Sequence, residues 1–143
     1  MLSKKAKYSI KALIFLAKNS NEPLLTISKI SELEKIPKKY LEVILLELKN
    51  AGYLFSKKGV GGGYLLSKPP EEIFLVSIVR LVDGPVARVS CASAYHYHSC
   101  EECHDEATCS IRKTYLEIRE AELKILSNTT IADMLKYETA IDV

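Results

Sequence analysis

Apolar residues recur with a helical period in three stretches at the front of the chain. The pattern predicts a first helix from Ser3 to about Lys18, a short second helix from about Ile27 to Leu33, and a third from Pro37 to about Asn50. The third stretch carries one apolar stripe at positions i, i+3, i+4 and i+7, formed by Leu41, Ile44, Leu45 and Leu48. Such a stripe indicates a helix with one face against a core.

The next segment contains two short β-prone runs separated by glycines. The runs YLF at 53–55 and YLL at 64–66 flank a turn rich in glycine and lysine, which predicts a β-hairpin with a slender, positive tip. An extended segment at 73–75 and a short helix at 76–83 follow, and Gly84 with Pro85 ends that helix.

Beyond Pro85 the pattern changes twice. Residues 87–108 show no helical period and predict a loop, whereas 110 to about 126 is helical again. The apolar positions of this helix form two sets on different faces, Ile111, Ile118 and Ile125 in one and Leu116 and Leu123 in the other. We expect its two packing partners to be its own domain and a second copy of the chain. A short capped helix is predicted at 130–136.

The charge is distributed unevenly along the chain. The net charge is +2 over 143 residues, but residues 1–90 carry 15 lysines and arginines against 8 acidic residues, giving +7. Residues 91–143 carry 5 against 10, giving −5. A basic front indicates that this part of the protein meets a polyanion such as nucleic acid.

The order of helices and hairpin is that of a winged helix-turn-helix. In that fold the third helix suits the major groove of DNA, and the hairpin, or wing, suits the neighbouring groove or backbone. Lys57 and Lys58 can neutralise phosphates, and the glycines beside them allow close approach of the backbone. A nucleotide-binding P-loop is disfavoured because a strand follows the glycines, where that motif requires Lys-Ser/Thr and a helix.

The apolar stretches are too short for a membrane span. None reaches the roughly 18 residues that cross a bilayer. Lys11 interrupts the first stretch, which is therefore an amphipathic helix rather than a signal peptide. We expect a cytoplasmic protein with no membrane partner, in which thiols stay reduced.

All four cysteines fall in the predicted loop, with spacing C-x8-C-x2-C-x5-C at Cys91, Cys100, Cys103 and Cys109. In a reducing compartment such a cluster favours a metal or redox role over disulfides. Thiolates are the usual ligands of iron–sulfur clusters, which we favour here. Zinc is an alternative, but structural zinc sites usually pair two C-x2-C units and only Cys100 and Cys103 form one. A thiol switch between those two cysteines is another.

The stretch YLEVILLELKNAGYLFSKKGVGGGYLLSK resembles the Rrf2-type bacterial transcription regulators. KKAKYSIKALIFLA near the start and SNTTIADML near the end match the same family, so the resemblance covers essentially the whole chain. It implies a mainly α fold with a small β-hairpin, namely a winged helix-turn-helix plus a long dimerisation helix. It also implies a homodimer on palindromic, double-stranded promoter DNA, and an iron–sulfur cluster in many members. We divide the chain into a DNA-binding domain at 1–83, a cluster-binding loop at 84–109, and a dimerisation helix with a C-terminal segment at 110–143.

The resemblance also assigns residues to DNA binding. Tyr40 and Glu42 match the YLE of the family's recognition helix, and Glu42 can accept a hydrogen bond from a cytosine amino group. Lys58 stands where the family often has arginine, so planar, bidentate recognition is weakened there. The predicted DNA-contacting set is Ser28, Lys38, Lys39, Tyr40, Glu42, Lys57, Lys58, Gly61, Gly62, Gly63 and Tyr64.

For the metal site, the resemblance supplies three ligands and leaves the fourth open. Cys91, Cys103 and Cys109 match the three cysteines of the cluster-binding branch, although the first gap is longer. The histidine that some members carry three residues after the last cysteine is replaced here by Arg112. Cys100 is the simplest fourth ligand, and it would give an all-thiolate site in which we favour a 2Fe–2S over a 4Fe–4S cluster. The alternatives in the same loop are His96, His98 and His104.

The sequence therefore predicts a DNA-binding transcriptional regulator whose promoter binding responds to an iron–sulfur cluster or redox signal. The alternative is a regulator of the same type without a cluster, acting through a thiol switch, through zinc or by binding a partner such as a metabolic enzyme. No Ser/His/Asp arrangement, P-loop or paired-carboxylate motif is present, so we do not expect an enzyme.

Overall fold

The computed structural model describes residues 1–22 and 24–141. Six helices and one hairpin follow one another in these ranges: α1 Lys4–Lys18, α2 Ile27–Glu34, α3 Lys38–Asn50, β1 Leu54–Lys57, β2 Gly63–Leu66, α4 Leu75–Asp83, α5 Ser110–Asn128 and α6 Ile131–Ile141. Single 3-10 turns occur at Pro70–Glu72, Ser90–Ala92 and Glu106–Thr108. The predicted fold class, mainly helical with one small hairpin, is confirmed. The last helix, α6, is longer than the predicted helix at 130–136. The predicted domains also include Pro23 and residues 142–143, which lie outside the described residues.

The core surrounds α1. Residues of α1 between Ala12 and Ala17 are buried on all sides, and the predicted stripe of α3 packs into the same cluster. Ile73, Ile78 and Ile131 are fully buried there as well, so the segments after the hairpin contribute to one continuous core. Burial of these aliphatic side chains is the main force that fixes α3 relative to α1.

A short turn sets the direction of α3. Lys35 ends α2 in the left-handed conformation, with φ of 55°. The Ser31 hydroxyl donates to the Ile36 carbonyl oxygen at 2.6 Å, and the Ile36 amide donates back to the Ser31 carbonyl oxygen at 3.2 Å. Pro37 then precedes the first turn of α3. The turn of the helix-turn-helix is therefore held by its own hydrogen bonds.

The hairpin is attached to Leu25, which lies two residues before the start of α2. The strands pair antiparallel, with Leu54 opposite Leu66 and Lys57 opposite Gly63. At the base of the hairpin the Tyr64 amide donates to the Leu25 carbonyl oxygen at 2.8 Å, and the Leu25 amide donates to the Tyr64 carbonyl oxygen at 3.2 Å. A Cβ at Gly63 would lie 2.4 Å from the Leu25 carbonyl oxygen, so only glycine allows this approach. Gly63, which was predicted to approach DNA, is thus required inside the wing itself.

The two C-terminal helices pack on different parts of the DNA-binding domain. Helix α5 packs on α4, whereas α6 returns to α1. The connection is held by the Leu75 amide donating to the Thr129 carbonyl oxygen at 2.8 Å and by the Ile131 amide donating to the Ile73 carbonyl oxygen at 2.9 Å. One predicted apolar set on α5 stays exposed, with exposed fractions of 61% for Ile111, 39% for Ile118 and 66% for Ile125. Leu116 and Leu123 are only partly exposed.

Candidate nucleic-acid interface and cysteine pocket

Most of the predicted DNA-contacting residues surround one open cavity of about 450 Å³ between α3 and the wing. The members of the predicted set that line it are Ser28, Lys38, Glu42, Lys57, Lys58, Gly62, Gly63 and Tyr64. Four lysines border this cavity, since Lys49 joins Lys38 and the two wing lysines. A concave surface bordered by lysines attracts the phosphates of a nucleic acid.

Three members of the predicted set lie elsewhere. Lys39 and Tyr40 line a neighbouring cavity of about 360 Å³ on the α1 side of α3, with Lys5. The Tyr40 ring meets the ring of Tyr8 edge to face, at 5.6 Å between ring centres. Tyr40 therefore links α3 to α1, whatever its role toward DNA. Gly61 is exposed at the tip of the wing.

Three further residues of α3 line these cavities but were not in the predicted set: Val43, Leu46 and Lys49. Leu46 and Lys49 line the cavity beside the wing, and Val43 lines the cavity beside α1. The exposed fractions of Val43 and Leu46 are 57% and 50%. The signal was available in the helical period, because positions 43 and 46 fall on the side opposite the stripe at 41, 44, 45 and 48.

The four cysteines line one open cavity of about 540 Å³, together with Ser99, Ile111 and Arg112 among others. All four are free thiols, three of them half-buried and Cys100 exposed. The predicted alternative ligands His96, His98 and His104 do not line this cavity in the part of the chain that the structure describes. In residues 1–22 and 24–141, no three Cys, His, Asp or Glu side chains stand close enough together to hold a metal ion as they are placed.

Cys109 and Arg112 join the cysteine loop to α5. Cys109 is the N-cap of α5, and its sulfur accepts a hydrogen bond from the Arg112 amide at 3.4 Å. The guanidinium of Arg112 donates from Nε to the Cys91 carbonyl oxygen at 3.2 Å and lies 3.9 Å from the Glu106 carboxylate. Tyr97 donates its hydroxyl hydrogen bond to the same carboxylate, which raises the pKa of Tyr97. The first and last cysteines are thus tied to the first turn of the helix.

Two of the thiols have raised pKa values. The Cys100 sulfur donates a hydrogen bond to the Glu102 carboxylate at 3.0 Å, and this bond raises the pKa of Cys100 and lowers the pKa of Glu102. Partial burial raises the pKa of Cys103, and the neighbouring Cys109 raises it further. Both thiols therefore favour the protonated form when no cation is present.

Fold and surface together define a winged-helix DNA-binding protein with a thiol-lined pocket beside its longest helix. The profile of the Rrf2 family, described as iron-dependent transcriptional regulators, matches residues 2–137. The chain belongs to the Rrf2 family of transcriptional regulators, as its resemblance predicted, and the family and fold are those of regulators rather than enzymes.

Individual relatives agree with this assignment. An HTH-type regulator from Rhodobacter capsulatus, named as rrf2-like, is 41% identical over 94% of this chain and 92% of its own length. The HTH-type regulator CymR of Bacillus subtilis is 30% identical over 95% of this chain and 90% of its own. The structure of that CymR, described as the global cysteine regulator, superposes with a TM-score of 0.79 over 96% of this chain and 97% of its own, at 29% identity. The HTH-type regulator IscR of Xenorhabdus nematophila is 27% identical over 99% of this chain and 83% of its own. None of the helices within residues 1–22 and 24–141 is long and apolar enough to cross a membrane.

Proposed function

We propose that this protein is a cytoplasmic, homodimeric regulator whose affinity for promoter DNA is set by an iron–sulfur cluster bound by Cys91, Cys100, Cys103 and Cys109. The observation that carries the proposal is that all four cysteines line one cavity beside the N-terminus of α5. In this proposal residues 1–83 bind DNA, 84–109 hold the cluster, and 110–143 contain the dimerisation helix.

The DNA-binding part of the proposal rests on α3 and the wing. Lys57 and Lys58 would contact phosphates from the wing while α3 enters the major groove. Glu42 lies on the same cavity and would accept a hydrogen bond from a cytosine amino group. Lysines around it reduce the repulsion between this carboxylate and the phosphates.

The homodimer is supported by the exposed face of α5. Ile111, Ile118 and Ile125 recur every seven residues, and none of the three is buried within the chain. A second α5 packed on this face would bury them in a seam typical of paired helices. A dimer would also present two copies of α3, which suits a palindromic site.

The residues around the cysteine cavity fit an iron–sulfur cluster in their chemistry. Four thiols are available, and thiolates are the usual ligands of such clusters. Cys109 caps α5, so its sulfur lies where the helix dipole stabilises a negatively charged ligand. Because the thiols are not gathered around one point in the described residues, binding would draw the loop together. The cluster, when bound, would supply a state that changes with iron supply or oxidation.

The contacts of this chain would carry that change to the DNA-binding surface. Arg112 ties the carbonyl group of Cys91 to the first turn of α5, so an altered loop changes the contacts at the start of that helix. Helix α5 packs on α4, and α4 packs on α1. In a dimer joined at α5, a change at the start of α5 would alter the spacing of the two α3 helices. The cysteine loop and the DNA-binding surface would thereby be coupled.

Anaerobic reconstitution with iron and sulfide tests the cluster. We expect bound iron and sulfide and a visible absorption spectrum, and we expect the Cys103→Ala variant to lose the iron, the sulfide and the absorption. Ser99→Ala is the control, because Ser99 lines the same cavity but is not a predicted ligand. The proposal would be wrong if reconstituted protein held no iron while all four Cys→Ala variants bound DNA as the unaltered protein does.

A salt titration of promoter binding tests the DNA interface. Lys58→Ala should weaken binding across sequences and lower the slope of log K against log salt by about 1. The matched control is Lys124→Ala, because Lys124 is exposed on α5 outside the basic cavity. Equal slopes for the two variants would exclude a phosphate contact at Lys58.

A thiol switch is the second candidate, and the turn that holds two of the cysteines favours it. The Cys103 amide donates to the Cys100 carbonyl oxygen at 3.2 Å, so both thiols lie in one turn. A hydroperoxide could oxidise them to a disulfide: the two thiols give up two electrons and two protons, and the O–O bond breaks to give water and an alcohol, or two waters from hydrogen peroxide. Mass spectrometry of metal-free protein after peroxide treatment tests this, with DNA affinity as the readout.

Zinc and a protein partner are further alternatives that the same preparations can decide. Purified protein with zinc in place of iron would favour a zinc site. A docking role would be favoured if a metabolic enzyme stayed bound to the purified regulator. Charge reversal of acidic residues within 91–143 should then release that enzyme.

A further inference from the structure

The outer face of α3 carries two exposed apolar side chains among lysines. Val43 and Leu46 are exposed to 57% and 50%, and they lie three residues apart, on adjacent positions of one helical face. Isolated exposed apolar side chains are common on protein surfaces. This pair differs because it lies on the helix face opposite the core, between the two cavities that flank α3.

The charges around the pair select the kind of surface that covers it. Six lysines line the two cavities: Lys5, Lys38, Lys39, Lys49, Lys57 and Lys58. Glu42 is the acidic residue among the linings of these cavities, as far as the structure describes the chain. Lys5 is paired with Glu47 at 2.6 Å. A purely apolar partner would cover the other five lysines without offering a negative charge, whereas DNA offers both phosphates and apolar groups. In the major groove, the apolar group of DNA is the C5 methyl group of thymine.

We infer that Val43 and Leu46 contact thymine methyl groups in the operator and thereby determine part of its sequence. The inference rests on the proposed function, since it assumes that α3 lies in the major groove. It assigns two kinds of base recognition to one helix: Glu42 selects cytosine by a hydrogen bond, and Val43 with Leu46 selects thymine by apolar contact.

The experiment removes the methyl group without changing base pairing. Operator sites are first selected from randomised duplexes with the unaltered protein, and each thymine is then replaced singly by deoxyuridine. Binding is measured by fluorescence anisotropy at fixed salt. We expect at least one thymine in each half-site whose replacement weakens binding about four-fold, because about 0.8 kcal/mol per buried methyl group corresponds to that factor.

The same deoxyuridine sites are then tested against Leu46→Ala and Val43→Ala. At a thymine read by Leu46, the Leu46→Ala variant should bind the thymine and uracil sites equally, while Val43→Ala still distinguishes them. Alanine is a good helix former and both side chains are exposed, so α3 should stay folded. Leu33→Ala is the matched control, because Leu33 is 58% exposed on α2 and lies outside both cavities.

The outcomes separate this inference from the proposed function. Selection of a defined site whose affinity is insensitive to every deoxyuridine would leave DNA binding intact and overturn the inference. A methyl effect that persists unchanged in both alanine variants would also overturn it, because another residue would then read the methyl group. Failure to select any site would overturn the proposed function and this inference together.

Discussion

The guanidinium of Arg112 donates a hydrogen bond to the backbone carbonyl oxygen of Cys91, across 21 positions of sequence and at 3.2 Å. Arg112 occupies the position where some family members carry a histidine ligand. In this chain its side chain holds the start of the cysteine loop against the first turn of α5. Arg112 therefore positions the cysteine loop relative to the helix.

Removing that guanidinium should loosen the loop without unfolding the protein. We expect Arg112→Ala to speed amide exchange across residues 91–109, with exchange in α3 unchanged and global stability lowered by no more than about 1 kcal/mol, because one half-exposed hydrogen bond and one weak ion pair are lost. Hydrogen exchange with mass spectrometry measures this. Lys113→Ala, at the next and exposed position, should leave loop exchange unchanged.

The fourth ligand can be tested by restoring the family's histidine. Cys100→Ala should lose most reconstituted cluster if Cys100 is the fourth ligand. Adding Arg112→His to that variant should recover a cluster with a shifted visible spectrum, because imidazole replaces one thiolate. Iron analysis and absorption spectra provide the readout. Full cluster content in Cys100→Ala alone would assign the fourth position to another group.

The wing should tolerate substitution at its tip but not at its base. Gly63→Ala places a Cβ 2.4 Å from the Leu25 carbonyl oxygen and should lower the free energy of unfolding by about 2 kcal/mol, with weaker DNA binding because the wing shifts. Val60→Ala, at a fully exposed tip residue, should leave stability unchanged. Urea denaturation compares the two variants. Equal stability would show that the contact between Leu25 and the wing relaxes without cost.

The start of α6 should contribute to stability in a pH-dependent way. The Asp133 amide donates to the Thr130 hydroxyl at 3.1 Å, and the Thr130 amide donates to the Asp133 carboxylate at 2.9 Å. Thr130→Ala should cost about 1 kcal/mol of unfolding free energy. Thr139→Ala, on the exposed side of the same helix, serves as the control.

The pKa of the Asp133 carboxylate determines whether this contribution to stability rises or falls with pH. Hydrogen bonds from Thr130 lower the pKa of Asp133 below its unfolded value. Its stabilisation is therefore present above the unfolded pKa of about 4 and is lost as the pH falls through the folded pKa. Urea midpoints are measured at pH values from about 3 to about 6. As the pH falls, the midpoint of Asp133→Asn should decrease less steeply than that of the unaltered protein.

The exposed face of α5 should determine the oligomeric state. Ile118→Asp combined with Ile125→Asp should convert a dimer to monomers and abolish tight binding to a palindrome, because carboxylates cannot be buried in an apolar seam. Light scattering measures the mass. Lys124→Asp places the same charge on a neighbouring exposed position and should leave the dimer intact.

The sequence by itself determined the element order and most of the basic surface. The stripe at Leu41, Ile44, Leu45 and Leu48 predicted the buried face of α3, since helical period follows directly from local geometry. The same period left positions 43 and 46 on the outer face, but a residue's neighbours across the fold are not encoded in its period. Only the tertiary structure therefore placed Val43 and Leu46 between lysine-lined cavities.

In the cysteine loop, too, the sequence predicted the chemistry while the tertiary structure decided the contacts. Spacing alone predicted a thiol site at Cys91, Cys100, Cys103 and Cys109, because four clustered thiols are chemically distinctive. Spacing could not show that Cys109 caps α5, that Cys100 is the exposed member, or that Arg112 holds the Cys91 carbonyl group. Those relationships depend on how a loop without periodicity folds back on a helix, and long-range contacts of that kind are fixed by packing rather than by local sequence preference.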